Sequence, residues 1–200
     1  MDDVLALLDW RRRIAQLYAE VRDRLPAGPH GAHEHWRAVR SQLFSHHPQS
    51  PLPADARAGF GGLRCFDYDP SFAVVAALDT EVEGAVFDVG TSTGAVVQFR
   101  RCGRVELPWG ALDVYWLEGY GGGLFLPFRD ATAGDTTYGG GRYLLDTVKG
   151  ADLGSTGSGD LVLDFNFAYH PSCAHDPRWS CPLAPPGSRL DVRMEAGERL

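Results

Sequence analysis

The sequence predicts a mainly β protein, a small antiparallel β-barrel or sandwich with an N-terminal helical arm. Three observations carry this. Helical periodicity is confined to residues 1–45. Beyond them, short runs of β-forming residues recur at close spacing between turn residues. Glycine is abundant, at 24 of 200 residues, and aromatics make up 11%, a mixture that suits strands and tight turns better than a helical bundle. The length suits one domain, or one with an appendage. We divide the chain into a helical arm, residues 1–45, and a β-rich domain, residues 46–200.

The arm comes first. Val4, Leu7, Leu8, Ile14, Leu17, Tyr18, Val21 and Leu25 recur at helical spacing, which predicts an amphipathic helix over 3–25. Asp2 or Asp3 can cap it, and Pro26 and Gly28 stop it. A second helix is expected over 32–45, with Trp36, Val39, Leu43 and Phe44 on one face. His30, His33 and His35 at its start read as exposed. Residues 47–53 are proline-rich and therefore extended, lying against the domain.

Strands follow. Residues 72–78 and 85–89 are short apolar runs, and 91–94 is a turn. Residues 95–101 and 104–107 flank Cys102-Gly103, which reads as a hairpin turn. Further strands are expected at 112–117, 124–128, 142–145 and 161–167. In 189–195, Leu190, Val192 and Met194 alternate with Asp191, Arg193 and Glu195, which predicts a last strand with one wet face.

The net charge of −7 argues against nucleic acid, whose phosphates need a basic stripe. The one basic run, Arg11 to Arg13, reads as a solvated helix face. No stretch of about 18 apolar residues exists, so no membrane span is expected. The start Met1-Asp2-Asp3 lacks a basic leader, and the expected location is cytoplasmic. There, Cys65, Cys102, Cys173 and Cys181 are thiols by default. The helices are a candidate contact for a homo-oligomer.

Two segments can carry chemistry. In 128–144, Asp130, Asp135, several hydroxyls and Gly139 to Gly141 precede Arg142. A glycine-permitted nest of N–H groups with a guanidinium can hold an anion. The bland alternative is a turn in which Asp135 and Arg142 pair. In 164–186, Asp164 and Asn166 would share one side of a strand, with Phe165, Phe167 and Tyr169 on the other. A buried carboxylate needs a partner, and Arg142 is the natural one. His170, Cys173, His175 and Cys181 could bind zinc, though they lack metal-site spacing. A Cys173–Cys181 disulfide would contribute about 2.5 kcal/mol. Buried thiols and a Cys173 nucleophile activated by a neighbouring histidine remain open. Glu198 reads as a solvated carboxylate near a chain end.

These residues carry a resemblance. Residues 128–144 resemble the Phe-x-Asp-x-Thr-Ser-Gly-x-x-Thr-Tyr-x-x-Gly-Arg-Tyr-Leu segment of the domain of unknown function 1684 family. Residues 164–186 resemble its Asp-Phe-Asn-x-Ala-Tyr-x-Pro-x-Cys and Cys-Pro-Leu-x-Pro-Pro motifs. Ser50-Pro51-Leu52, Phe60-Gly61-Gly62-Leu63 and Glu195 to Glu198 are similar to it as well. The resemblance implies that Asp130, Thr136 or Thr137, Tyr138, Arg142, Asp164, Asn166, Tyr169, Cys173, Cys181 and Glu198 occupy motif positions. It assigns no activity. Ala133 stands where a serine is usual, and Gly187-Ser188 where Glu-Asn is frequent. His170 and His175 stand where the family often has Asn and an aromatic, which weakens the zinc reading.

The expected function is a pocket for a small anionic ligand. Arg142 would anchor it, with Asp130, Tyr138, Asp164, Asn166 and Tyr169 around it. The rivals are a hydrolase with Asp130 or Asp164 as base, and a structural or protein-interaction module braced by the Cys/His segment.

Overall fold

The computed structural model describes residues 3–200. Helix α1 spans Asp3–Arg24 and α2 spans Pro29–His46. Pro29 opens α2, where its missing N–H costs nothing. A short α3, Ala54–Arg57, follows the proline-rich connector. The strands are β1 (Ala73–Ala76), β2 (Val86–Gly90), β3 (Val96–Leu107), β4 (Gly110–Leu117), β5 (Gly123–Phe128), β6 (Arg142–Asp146) and β7 (Leu161–Asp164). The fold is mainly β, in two antiparallel sheets: β2 to β6 pair in chain order, and β1 pairs with β7.

The larger sheet is not a closed barrel, because β2 and β6 remain its two edges. Segment 164–186 occupies part of both. Tyr169 exchanges both backbone hydrogen bonds with Tyr143 of β6, at 2.9 and 3.1 Å. At the other edge, Leu183 N–H donates to the Gly90 carbonyl, and Pro182 bridges Thr91. Covering exposed strand edges in this way blocks pairing with other chains.

β4 to β6 are buried on both faces, whereas β2 and the start of β3 are largely exposed, and alternation along each strand divides the core. Phe99, Tyr115, Phe125 and Tyr143 point to the helices and pack with Leu17, Tyr18, Val21, Trp36 and Phe167. Val114, Leu126, Phe128 and Leu144 point the other way, to Leu163, Phe165, Leu190 and Met194. Two buried faces explain why β5 reads as a continuous apolar run, and in β6 they bury even Arg142 and Asp146. Residues 3–46 thus share a core with the sheet. The first turns of α1 lie outside it, since Val4, Leu5, Leu7 and Leu8 are exposed while Ala6 is buried.

Two expected elements are corrected. Cys102-Gly103 is no turn: β3 runs through it with a bulge between Arg101 and Gly103. The glycine serves a close approach there, since a Cβ would lie 2.4 Å from Leu78 Cδ1 and 2.9 Å from the Asp79 carbonyl. The actual turn is Pro108-Trp109, between β3 and β4. Residues 189–195 form no strand, and Val192 is exposed. Their backbone pairs only in part, with residues 129–131: Leu190 N–H donates to the Arg129 carbonyl at 2.8 Å, and Ala131 N–H to that of Val192 at 2.9 Å. No helix among the described residues is long and apolar enough to cross a membrane.

Candidate functional site

Arg142 begins β6 and is 1% exposed. Its guanidinium donates to Asp130 Oδ1 at 3.2 Å, to the carbonyls of Met194 at 2.8 Å and Glu198 at 3.3 Å, and to that of Ala196. These three carbonyls come from alternate residues of the extended C-terminal segment. A guanidinium therefore stands where a neighbouring strand would. Asp130 is equally occupied: Oδ2 accepts from Thr132 N–H, Thr132 Oγ1 and Met194 N–H. Burial lowers the Arg142 pKa and Asp130 opposes it. Arginine stays charged in either case. Asp135 pairs with Arg193 at 3.0 Å instead of with Arg142.

Asp164 does not face Arg142. β7 ends at Asp164 and a 3₁₀ turn follows over Phe165–Phe167, because the carboxylate caps it. Asp164 Oδ1 accepts from Asn166 N–H at 2.9 Å and from Nδ2 at 2.7 Å, and Oδ2 accepts from the Tyr68 hydroxyl at 3.1 Å. The Asn166 amide then pairs with the Asp69 backbone, 3.0 Å to N and 2.8 Å to O. The turn also breaks the expected strand alternation, and Phe165 and Phe167 join opposite sides of the core. Neither Asp130 nor Asp164 lines the pocket described next.

A different cluster borders open space. Arg40 on α2 donates to Glu198 Oε1 from Nε at 3.1 Å and from Nη2 at 2.6 Å. Both side chains are buried, at 5% and 1% exposure. The guanidinium sits among aromatic faces, 5.0 Å from the Trp36 ring, 5.4 Å from Phe44 and 4.8 Å from Tyr169. Glu198 Oε2 accepts from His170 N–H at 2.8 Å. Burial pushes the Glu198 pKa up, but Arg40 first, then His170 and His175, hold it below the ordinary value. Gly197 makes this placement possible. Its φ is +76°, and a Cβ there would lie 2.5 Å from the Ala168 carbonyl. Glu198 is thus a buried ion-pair member, which corrects its reading as a solvated carboxylate.

Beside the pair lies a cavity of about 170 Å³, lined by Phe60, Leu63, Arg64, His170, His175, Glu198 and Arg199 among others. His175 Nε2 is buried without a hydrogen-bond partner. Ligand atoms of His170, His175 and Glu198 lie within 4.8 Å of one another, the spacing of a metal site. Two features oppose a cation there. His170 Nε2 accepts from Tyr138 N–H at 3.2 Å, so the proton sits on Nδ1, the nitrogen 4.0 Å from Glu198. Arg40 already supplies the positive charge. Cys173 and Cys181 lie elsewhere, against Tyr138 and Ser92, so the four residues considered for zinc do not form one shell.

Tyr138 and Tyr169 flank this cluster. Tyr138 meets His170 through its backbone and lies 3.7 Å from Cys173 Sγ through its hydroxyl. Tyr169 stacks on Arg40 and donates to Asp146 Oδ2 at 3.3 Å. The six ligand-binding candidates therefore fall in separate places: Asp130 with Arg142, Asp164 with Asn166, and the two tyrosines near Glu198. Arg40, Tyr68 and Thr132 escaped sequence reasoning. Arg40 did leave a signal, as a lone cation one turn from both Trp36 and Phe44 on an apolar helix face.

His33 is a further correction, because it is 3% exposed and packs on Trp36, Tyr68 and Phe167. Burial pushes the pKa of His33, and that of His170, down to about 4. Both are neutral when folded at pH 6, whereas the unfolded chain takes up protons below about 6.5. Stability is therefore full above that value and falls as the pH drops toward 4. Each histidine contributes a slope of at most about 1.4 kcal/mol per pH unit. Asp164, its pKa raised by burial, opposes this at the acid end. His175, lowered by burial as well, adds to the slope; urea denaturation between pH 4.5 and 7.5 is expected to show it, and His33→Phe to reduce it. An unchanged slope in that variant would refute the assignment.

The chain is thus a mainly β protein whose C-terminal segment is fastened by buried ion pairs. The chain belongs to the protein family of unknown function DUF1684, whose model matches residues 58–199. It is similar to an uncharacterised protein of Haloarcula marismortui with a solution NMR structure. The two are 34% identical, the match covers 82% of this chain and 90% of that one, and the TM-score is 0.56. No curated protein matches.

Proposed function

We propose that this protein binds a small anionic ligand, in the pocket beside Glu198 rather than around Arg142. The observation that carries this is the unspent positive charge of that pocket. Arg64 and Arg199 line it and form no ion pair among the described residues, while its one acidic side chain, Glu198, is neutralised by Arg40. His175 adds an imidazole nitrogen without a partner. At about 170 Å³ the cavity is smaller than the usual 300–1,000 Å³ of organic-ligand sites, which favours an inorganic oxyanion or a carboxylate of a few atoms. Arg142 is unsuited to be the anchor, since three carbonyls and Asp130 occupy both of its Nη groups and its side chain is buried away from the cavity. A hydrolase based on Asp130 or Asp164 lacks support for the same reason, as both carboxylates are engaged away from the cavity.

Calorimetric titration with phosphate, sulfate and acetate tests the reading. Arg64→Ser is expected to weaken the best binder by about 10-fold, the equivalent of 1.4 kcal/mol. His175→Phe, which keeps the ring packing against Phe44, is expected to weaken it similarly. No heat with any anion at millimolar concentration, or equal affinity in Arg64→Ser, would sink the proposal.

A further inference from the structure

Cys173 and Cys181 lie outside the anion pocket. Cys173 lies in a 3₁₀ turn over Ser172–Ala174, and its backbone N–H donates to Cys181 Sγ at 3.3 Å. That contact places the Cys181 sulfur beside the Cys173 side chain. Both are free thiols. The segment between them is irregular and rich in turns, so it can adjust as the sulfurs approach.

The surroundings differentiate the two thiols. Cys173 Sγ lies 3.7 Å from the hydroxyl of Tyr138, a half-buried residue. Ser92, which is exposed, donates N–H to the Cys181 carbonyl at 2.9 Å and accepts from Cys181 N–H through Oγ at 3.1 Å. Hydrogen bonds from Cys181, Ser92 and Tyr138 outweigh burial and bring the Cys173 pKa down to about 6. The same pairing, with burial, pushes Cys181 up. Cys65, by contrast, is pushed up to about 12 by burial. One partner is thus primed as a thiolate and the other held as a thiol, the division that a reversible dithiol needs.

We propose that Cys173 and Cys181 form a reversible thiol–disulfide site, with Cys173 as the attacking sulfur and a hydroperoxide as the oxidant. The Cys173 thiolate attacks one peroxide oxygen. The O–O bond breaks, hydroxide leaves and takes up a proton, and Cys173 becomes a sulfenic acid. Cys181 loses its proton and attacks that sulfur. The S–O bond breaks, water leaves, and the disulfide forms. In sum, two thiols and one hydrogen peroxide give one disulfide and two waters. The two sulfurs lose two electrons and the peroxide gains them. This site does not depend on the anion pocket.

The test is oxidation of the reduced full chain with hydrogen peroxide at pH 7, followed by alkylation and peptide mapping. The expected product is a peptide crosslinked between Cys173 and Cys181, reopened by dithiothreitol. Cys173 should react at least about 10-fold faster than Cys102, whose pKa burial raises. Cys181→Ser should halt at a dimedone-reactive sulfenic acid on Cys173. Tyr138→Phe should slow the reaction several-fold without abolishing the crosslink. The mapping needs no variant, so a misfolded substitution cannot mask the result. Absence of the crosslink, or oxidation of Cys65 or Cys102 ahead of Cys173, would overturn the proposal.

Discussion

Arg142→Ala is expected to leave no stably folded protein. The substitution removes a guanidinium that is 1% exposed and serves four acceptors. Breaking a buried ion pair costs about 3–5 kcal/mol, because the remaining charge is stranded. Each buried carbonyl left without a donor adds about 1–3 kcal/mol. Together these approach or exceed the 5–15 kcal/mol of a typical domain. The C-terminal segment would be released first, since Met194, Ala196 and Glu198 have little else to hold their carbonyls. Expression in the soluble fraction and a urea melt measure this. Arg142→Lys is expected to be intermediate, because one ammonium cannot span acceptors arranged for a planar fork. Had Arg142 been a ligand anchor, the alanine variant would fold normally and lose only binding. A soluble Arg142→Ala protein with wild-type stability would reverse the structural assignment.

Much of the fold is legible because it is written locally. The runs that became β4, β5 and β6 carry their own β-forming residues and turn glycines, and the helices carry their own period. The failures occur where a distant partner overrides the local pattern. Residues 189–195 alternate like a strand, yet the Met194 carbonyl turns to a side chain more than 50 residues away in the chain. Gly103 resembles a turn residue, yet Leu78 and Asp79 press on it from another segment. His33 sits at a helix start where exposure is the default, but Phe167 packs on it across the fold. Asp164 and Asn166 hydrogen bond to each other rather than to Arg142. The capping geometry of Asp164 satisfies both within the turn and leaves their remaining bonds to Tyr68 and Asp69. The pocket was illegible for the same reason. Its walls come from residues within 60–64, from His170 and His175, and from residues 198–200, and no local pattern joins them.

Glu198→Gln is expected to be nearly as damaging as Glu198→Ala, although it preserves shape. Glu198 receives three donors: Arg40 Nε and Nη2 on one oxygen, and His170 N–H on the other. A glutamine offers one oxygen and one NH₂ group. Whichever way it turns, the NH₂ confronts a donor, either the guanidinium or the His170 N–H. The net negative charge is lost as well, which leaves Arg40 as an unpaired buried cation among three aromatic rings. The expected cost is about 3–5 kcal/mol for either variant. Removing Arg40 at the same time relieves part of it. Arg40→Met with Glu198→Gln should be more stable than the sum of the single effects predicts, by at least about 1 kcal/mol. Cycle members measured by urea denaturation at pH 7 give that coupling directly. Additive losses would mean that the two side chains do not act as a pair. The same experiment bears on the pocket. If Glu198 chiefly neutralises Arg40, the double variant regains stability and retains anion binding through Arg64 and Arg199. If Glu198 itself holds the ligand through a hydrogen bond, stability returns in the double variant and binding does not.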